Sequence, residues 1–178
     1  MNDDLSVIQR VLAGEPDAFR ALVRRHQDSV WRLIRNFMND PNDVEDIAQE
    51  VFLTAYRNLV AYDPDQGAFA PWLLAIARHK CLNALKKHRP RVLPRLPEEG
   101  DPHTPDRALT QAEWFRQLDA ALDSMPLEQK TVFLLAEIEE LSHEEIGRIE
   151  GIPVGTVKSR LSRAKEKLRS YFRTVEQP

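Results

Sequence analysis

LSHEEIGRIEGIPVGTVKSRLSRAKEKL, residues 141–168, decides how this chain is read. Ser142 stands three residues before Glu145, the spacing of a capping box, in which each residue satisfies a free backbone donor of the other; such a cap is worth about 1 kcal/mol. A short helix is therefore expected from 143, with Ile146 and Ile149 facing inward. Gly151 falls where a tight turn between two helices needs a positive φ or a close approach, and Gly147 offers no side chain to obstruct a crossing helix. A second helix then runs from about Val154, with Val154, Val157, Leu161, Ala164 and Leu168 on one inward stripe and Ser159, Ser162, Lys158 and Arg163 outside. Two helices joined in this way form a helix-turn-helix. Short side chains let the second helix approach base edges, while lysine and arginine reach guanine or phosphate.

Working outward, residues 5–88 read as helix after helix, since apolar residues recur every three or four positions and no stretch alternates. Phe19, Leu22, Val23, Val30, Leu33, Ile34 and Phe37 make one stripe, and Val44, Ile47, Ala48, Val51, Phe52, Ala55, Tyr56 and Leu59 a second. Asp40-Pro41-Asn42-Asp43 supplies the start of a helix over 43–59. After the turn-rich Tyr62-Asp63-Pro64-Asp65-Gln66-Gly67, a third helix is expected near Pro71, carrying Trp72, Leu73, Ile76, Ala77 and Leu85. Between 89 and 105, Pro90, Pro94, Pro97, Pro102 and Pro105 forbid regular helix. Ala108, Trp114, Phe115, Leu118, Ala121 and Leu122 open a second helical unit, broken at Met125-Pro126 and resumed through Val132, Phe133 and Leu135. The expected fold class is all-α: a helical domain over 1–88, a flexible proline-rich linker over 89–105, and a helix-turn-helix domain over 106–178.

The formal charge of −3 over 178 residues conceals a segregated pattern. Arg78, Lys80, Lys86, Lys87, Arg89, Arg91 and Arg95 follow one another with no acid between them, and Lys158, Arg160, Arg163, Lys165, Lys167, Arg169 and Arg173 are interrupted by Glu166 alone. The acids concentrate in 40–50 and 137–150. Such segregation suggests one partner with phosphates and another with a basic surface. Hydrophobic residues make up 42% of the chain, enough for one ordinary core or two small ones. No apolar run is long enough to span a membrane and the first residues, Met1-Asn2-Asp3-Asp4, lack the order of a secretory signal, so a cytoplasmic address is expected. Cys81 is the single cysteine, which excludes an internal disulfide or cysteine-based zinc site. His26, His79, His88, His103 and His143 form no metal-binding pair, and no nucleophile with a base or phosphate cradle is recognisable. Neither enzyme activity, nor a cofactor, nor a metal is expected.

On the helix over 43–59, Asp46, Gln49, Glu50 and Leu53 lie opposite the apolar stripe, with Asp43 and Glu45 at its start. Acids in a first turn compensate the helix dipole, which accounts for Asp43 and Glu45 but leaves Glu50 and Leu53 over. A carboxylate beside an outward leucine suits a protein interface. Further on, the loop 61–69 precedes a helix with Trp72 near its start and Arg78, Lys80, Lys86 and Lys87 beyond, an exposed turn beside positive charge of the kind that binds single-stranded DNA.

Residues 118–168, and especially GIPVGTVKSRL, resemble the promoter-binding domain of bacterial RNA polymerase sigma factors of the extracytoplasmic-function type. EDIAQEVFLTAYRNL (45–59) is similar to that family's polymerase-binding helix, and FAPWLLAIARHKCLNALKK (69–87) to the helix facing its downstream promoter element. The chain departs from the usual pattern at His79, where asparagine is common, at Asn83, where aspartate is, and at Glu150, where an apolar residue is. The resemblance implies a dissociable promoter-specificity subunit with three surfaces. Thr156, Lys158, Ser159, Arg160, Ser162, Arg163 and Lys167 would hold the upstream (−35) element. Tyr62, Asp63, Gln66, Trp72, Arg78, Lys80, Asn83, Lys86 and Lys87 would hold the downstream (−10) element, the loop capturing a base turned out of the duplex. Asp43, Asp46, Gln49, Glu50 and Leu53 would grip core RNA polymerase. Promoter DNA, core polymerase and an anti-sigma protein are the implied partners. Two alternatives stand beside this reading: a helix-turn-helix output regulator of a signalling system, whose partner domain would alternate strands and helices, and an adaptor that sequesters polymerase components without binding DNA.

Overall fold

The computed structural model describes residues 3–38, 40–87 and 111–176; the expected linker over 89–105, and Ala108 with it, lie outside them. The described residues are helices and turns, without a strand. They divide into two compact units, one built from residues 1–90 with 148–151 and the other from 91–147 with 152–178.

In the first unit, α1 (Asp3–Leu12) leads through a turn at Gly14, φ +103°, to α2 (Phe19–Arg35). The buried side of α2 is formed by Phe19, Leu22, His26, Val30, Leu33 and Ile34. A buried carboxylate ties α1 to it: Asp4 accepts hydrogen bonds from the Arg25 guanidinium and, at 3.0 Å, pairs with Nε2 of His26. Burying a charge this way is tolerable only because its partners face it.

The next helix, α3 (Pro41–Arg57), begins two residues before the expected 43. Asp40 caps it, accepting from the Asn42 amide at 2.9 Å, and Pro41 takes the first helical position, where its missing N–H is no loss. Val44, Ile47, Ala48, Val51 and Ala55 are buried, but Phe52 is half-buried and Tyr56 is 41% exposed, so the inward stripe is narrower than its spacing suggests. At about 100° per residue Phe52 and Tyr56 fall on one margin of the buried arc, and Tyr56 rests edge-on against Phe19 at 5.2 Å. Leu59 is buried in a short 3-10 turn rather than in the helix itself.

Helix α4 (Phe69–Lys87) starts ahead of the expected Pro71, which still lies in the first turn, where a missing N–H costs nothing. It buries Phe69, Leu73, Leu74, Ala77 and Cys81 against α2 and α3, which also pack on each other. Burial pushes the Cys81 thiol up to about 12.

In the second unit, α5 (Gln111–Asp123) is followed by a break at Met125-Pro126 and by α6 (Leu127–Phe133). From Leu134 to Ile138 the helix widens to π geometry, the Glu139 amide reaching back to the Leu134 carbonyl at 3.0 Å, and Glu140 then turns the chain at φ +54°. Two more helices follow in the chain, α7 (His143–Glu150) and α8 (Val154–Glu176). Ala121, Leu122, Met125, Leu134, Ala164 and Leu168 form its core, with Leu118, Phe133, Tyr171 and Phe172 packed around them. The long α8 is therefore held by α5 and α6 along one side.

Candidate nucleic-acid interface

The start of α7 is the expected capping box. The Ser142 amide donates to Glu145 Oε2 at 2.8 Å, and the Glu145 amide donates to Ser142 Oγ at 3.2 Å. Gly151 ends the helix at φ +66°, and the Ile152 amide closes back onto the Gly147 carbonyl at 3.0 Å. A Cβ on Gly147 would stand 3.0 Å from the Ile152 carbonyl oxygen, so glycine is needed there for the turn to fold tightly. Ile146 is fully buried and Ile149 half-buried.

On α8 the inward side is Val157, Leu161, Ala164 and Leu168, all buried, while Val154 is half-buried. Successive residues turn by about 100°, so Gly155, Ser159, Ser162 and Glu166 lie on the opposite line, with Lys158 to one side and Arg163 to the other. Lys158, Ser159, Ser162, Arg163 and Lys167 are exposed. Thr156 is half-buried and its carbonyl accepts from Ser159 Oγ at 3.0 Å. Arg160 differs from the rest of the expected set: it sits on the boundary of the buried arc and pairs with Glu128 of α6 at 2.9 Å. Lys165, read in the sequence only as part of the basic run, holds Glu137 at 2.7 Å on the other boundary. Both acids lie far from α8 in the chain, and only the packed pair of helices reveals them. The result is a helix with two flanking cations directed to its supporting helix and an outer line of short side chains between further cations.

The first unit carries two more surfaces. Along α3, Asp46, Gln49, Glu50 and Leu53 are exposed, Leu53 at 48%, and Asp43 is half-buried. Glu50 is engaged across the unit, its Oε2 accepting from Lys80 Nζ of α4 at 3.1 Å. A residue expected to meet polymerase and one expected to meet DNA are thus joined. Asn83 and Lys86 are exposed along α4, Arg78 is half-buried, and Lys87 is its last residue.

Before α4 the loop is folded on itself. Asp63 accepts from the Asp65 amide at 3.0 Å and from Gln66 Nε2 at 2.9 Å, while Asp63 and Gln66 remain exposed at its edge. Tyr62 points the other way: it is 9% exposed, its ring packs on Phe69 and Trp72 at 5.6 and 5.5 Å, and its hydroxyl donates to the Gly67 carbonyl at 2.9 Å. Tyr62, expected among the residues that hold the downstream element, is thus buried beneath the loop, its phenol turned inward by the apolar contact of its ring. Trp72 is half-buried beside it. Burial first, then the charges of Asp4 and Asp63, raise the Tyr62 pKa above its ordinary 10.0. No three metal-ligating side chains gather among the described residues.

Comparison with known proteins follows the same division. The family model for Sigma-70 region 2 matches residues 22–91, which hold α3, α4 and all but the first three residues of α2, and the model for Sigma-70 region 4 matches 115–168, which include the helix-turn-helix motif over 141–168. The ECF RNA polymerase sigma factor SigE of Mycolicibacterium smegmatis is 38% identical over 85% of this chain, which spans 60% of that relative's length. SigW of Bacillus subtilis, another ECF RNA polymerase sigma factor, is 32% identical over 94% of this chain and 96% of its own. Among solved structures, the sigma factor RpoE of Bartonella quintana, in complex with the anti-sigma factor NepR, matches the fold with a TM-score of 0.69 at 19% identity, covering 87% of this chain and 96% of that one. With a capped helix-turn-helix, a core of three packed helices, and in SigW a relative 32% identical and matched over 96% of its length, the chain belongs to the ECF family of RNA polymerase sigma factors.

Proposed function

We propose that this protein acts in the cytoplasm as a dissociable promoter-specificity subunit, binding core RNA polymerase, recognising −35 and −10 elements and aiding the opening of DNA, while the chemistry of RNA synthesis belongs to the polymerase. The observation that carries the reading is the outer line of α8, where Ser159 and Ser162 leave backbone-close access between Lys158 and Arg163. A helix so arranged enters the major groove. Arginine there makes bidentate contact with guanine, and neighbouring lysines such as Lys158 and Lys167 neutralise phosphates.

In this reading the domain over 106–178 holds the upstream element, and the domain over 1–88 performs two tasks from two faces. Asp43, Asp46, Gln49, Glu50 and Leu53 meet a basic surface of the polymerase, charge complementarity steering the encounter. Asp63, Gln66, Trp72, Arg78, Lys80, Asn83, Lys86 and Lys87 face the downstream element, the folded loop receiving an unpaired base and the cations of α4 following the strand. Tyr62 contributes from beneath the loop. The 89–105 linker connects the two domains. An anti-sigma protein is a further proposed partner, on the support of the structural neighbour bound to one.

The output-regulator alternative calls for alternating strands and helices before the helix-turn-helix, whereas α1 to α4 are helical throughout. The decisive experiment is to reconstitute the protein with core polymerase and sequence the transcripts started on genomic DNA. Initiation at sites sharing two spaced sequence elements is expected; core binding without any new start sites would favour the adaptor reading.

A further inference from the structure

We propose that Tyr62 is a positioning residue for base capture: its buried hydroxyl, bonded to the Gly67 carbonyl, holds the turn over 63–66 in the shape that receives an unpaired base. The inference rests on the downstream-element reading above. A ring alone would complete the aromatic cluster of Tyr62, Phe69 and Trp72, and a hydroxyl placed among apolar groups costs free energy unless it is bonded. Here it is bonded, at 2.9 Å, to the residue that ends the short turn over Pro64–Gln66. That residue is Gly67 at φ +150°, a conformation side chains rarely adopt, so the direction of its carbonyl is set by a backbone that glycine permits.

The turn itself is closed from within. Pro64 fixes one φ, the Gln66 amide donates to the Asp63 carbonyl at 3.2 Å, and the Asp63 carboxylate accepts from the Asp65 amide and from Gln66 Nε2. These bonds shape the turn, and the bond from Tyr62 ties that shape to the buried cluster and to Phe69, the first residue of α4. Phe69 in turn packs on His26 at 5.4 Å, so the anchor reaches α2. The outer edge, Asp63, Pro64, Asp65, Gln66 and Ala68, stays exposed to a ligand. A loop ordered before its ligand arrives does not lose that ordering entropy on binding, which is how a buried hydroxyl acts on affinity and selectivity without touching DNA. With its pKa raised, the phenol remains a donor throughout the neutral range.

The test is Tyr62→Phe in the full chain, reconstituted with core polymerase and offered a pool of short single-stranded DNA oligonucleotides of random sequence. The parent holoenzyme is expected to enrich a defined base at the captured position. The variant should melt with the parent and bind core polymerase equally, yet bind the enriched oligonucleotide about five- to tenfold more weakly, tenfold corresponding to about 1.4 kcal/mol. Its base preference at that one position should flatten, and the amides of Gln66 and Gly67 should exchange hydrogen faster. A merely structural role would leave the preference unchanged. A folded variant with the parent's preference and affinity overturns the proposal. Should Tyr62→Phe fail to fold, Asp63→Ala opens the same turn from its exposed side; unaltered selectivity there overturns the proposal equally. A parent holoenzyme that enriches no base at all removes the base-capture reading itself, and this inference with it.

Discussion

Arg160 and Arg163 stand three residues apart on one helix and meet different surroundings. Arg163 lies outside the arc that α8 buries, whereas Arg160 is drawn onto Glu128 of α6. Arg163→Ala is therefore expected to weaken binding to a duplex carrying the upstream element by about 1 to 3 kcal/mol and to relax specificity at one position, if its contact is bidentate to a base. Lys158→Ala should instead weaken all sequences and reduce the salt slope by about 1. Arg160→Ala should leave the base preference intact and lower stability by no more than about 1 kcal/mol, because Glu128 is mostly exposed and such a pair is screened. Duplex titrations at several salt concentrations, with melts, separate the three; equal loss of base preference in both arginine variants would contradict the assignment. At Cys81 the expectation concerns pH. Its folded pKa, about 12, lies above the ordinary 9.0, so stability is full below pH 9 and declines as pH rises toward 12, since only the unfolded chain releases the proton. Cys81→Ala should remove that alkaline loss, and the parent's thiol should resist alkylation at neutral pH until the chain unfolds.

At the scale of elements, α3 presents one face to the core and another to solvent, and the exposed one offers the cleaner test of polymerase docking. Asp46→Lys together with Leu53→Asp changes only exposed positions, whose substitution ordinarily moves stability by less than about 0.5 kcal/mol. Core-polymerase binding should nevertheless be lost, because the new lysine at 46 meets the basic surface with like charge, and the carboxylate at 53 would have to lose its water where an apolar side chain packed. A pull-down with core enzyme beside a melt reads both, and a folded double variant that still binds would defeat the docking face. Glu50 is left out of this test because its substitution would also release Lys80. How far such faces were legible follows from locality. The caps at Asp40 and Ser142, the turn at Gly151 and the buried side of α8 are set by residues within a few positions of one another, and spacing reveals them. The partners of Arg160, Lys165 and Lys80 lie on other helices, which no spacing rule joins. Tyr56 escaped for a related reason, since periodicity gives the middle of a buried arc and neighbouring helices give its width. The π turn at Leu134–Ile138 left no pattern that propensity would detect.

Across the whole molecule, the net charge of −3 argues against general attraction to DNA, so affinity has to come from local basic faces acting together. If each domain holds one promoter element, as proposed, the second contact becomes intramolecular and the linker sets the effective concentration. For a chain that only tethers, cost grows slowly: doubling the length adds about 0.6 kcal/mol, close to threefold in binding. The composition of 89–105, with its five prolines, is the one expected of a tether. Inserting a glycine–serine segment as long as the linker itself is therefore expected to reduce promoter occupancy about threefold while leaving each domain's own contacts unchanged. Separate measurements keep the terms apart: polymerase binding for the first domain, upstream-duplex binding for the second, and occupancy of a promoter carrying both elements for the tether. A far larger loss in the third, with the first two intact, would mean that residues 89–105 themselves contact polymerase or DNA, and the linker would then join the list of recognising segments.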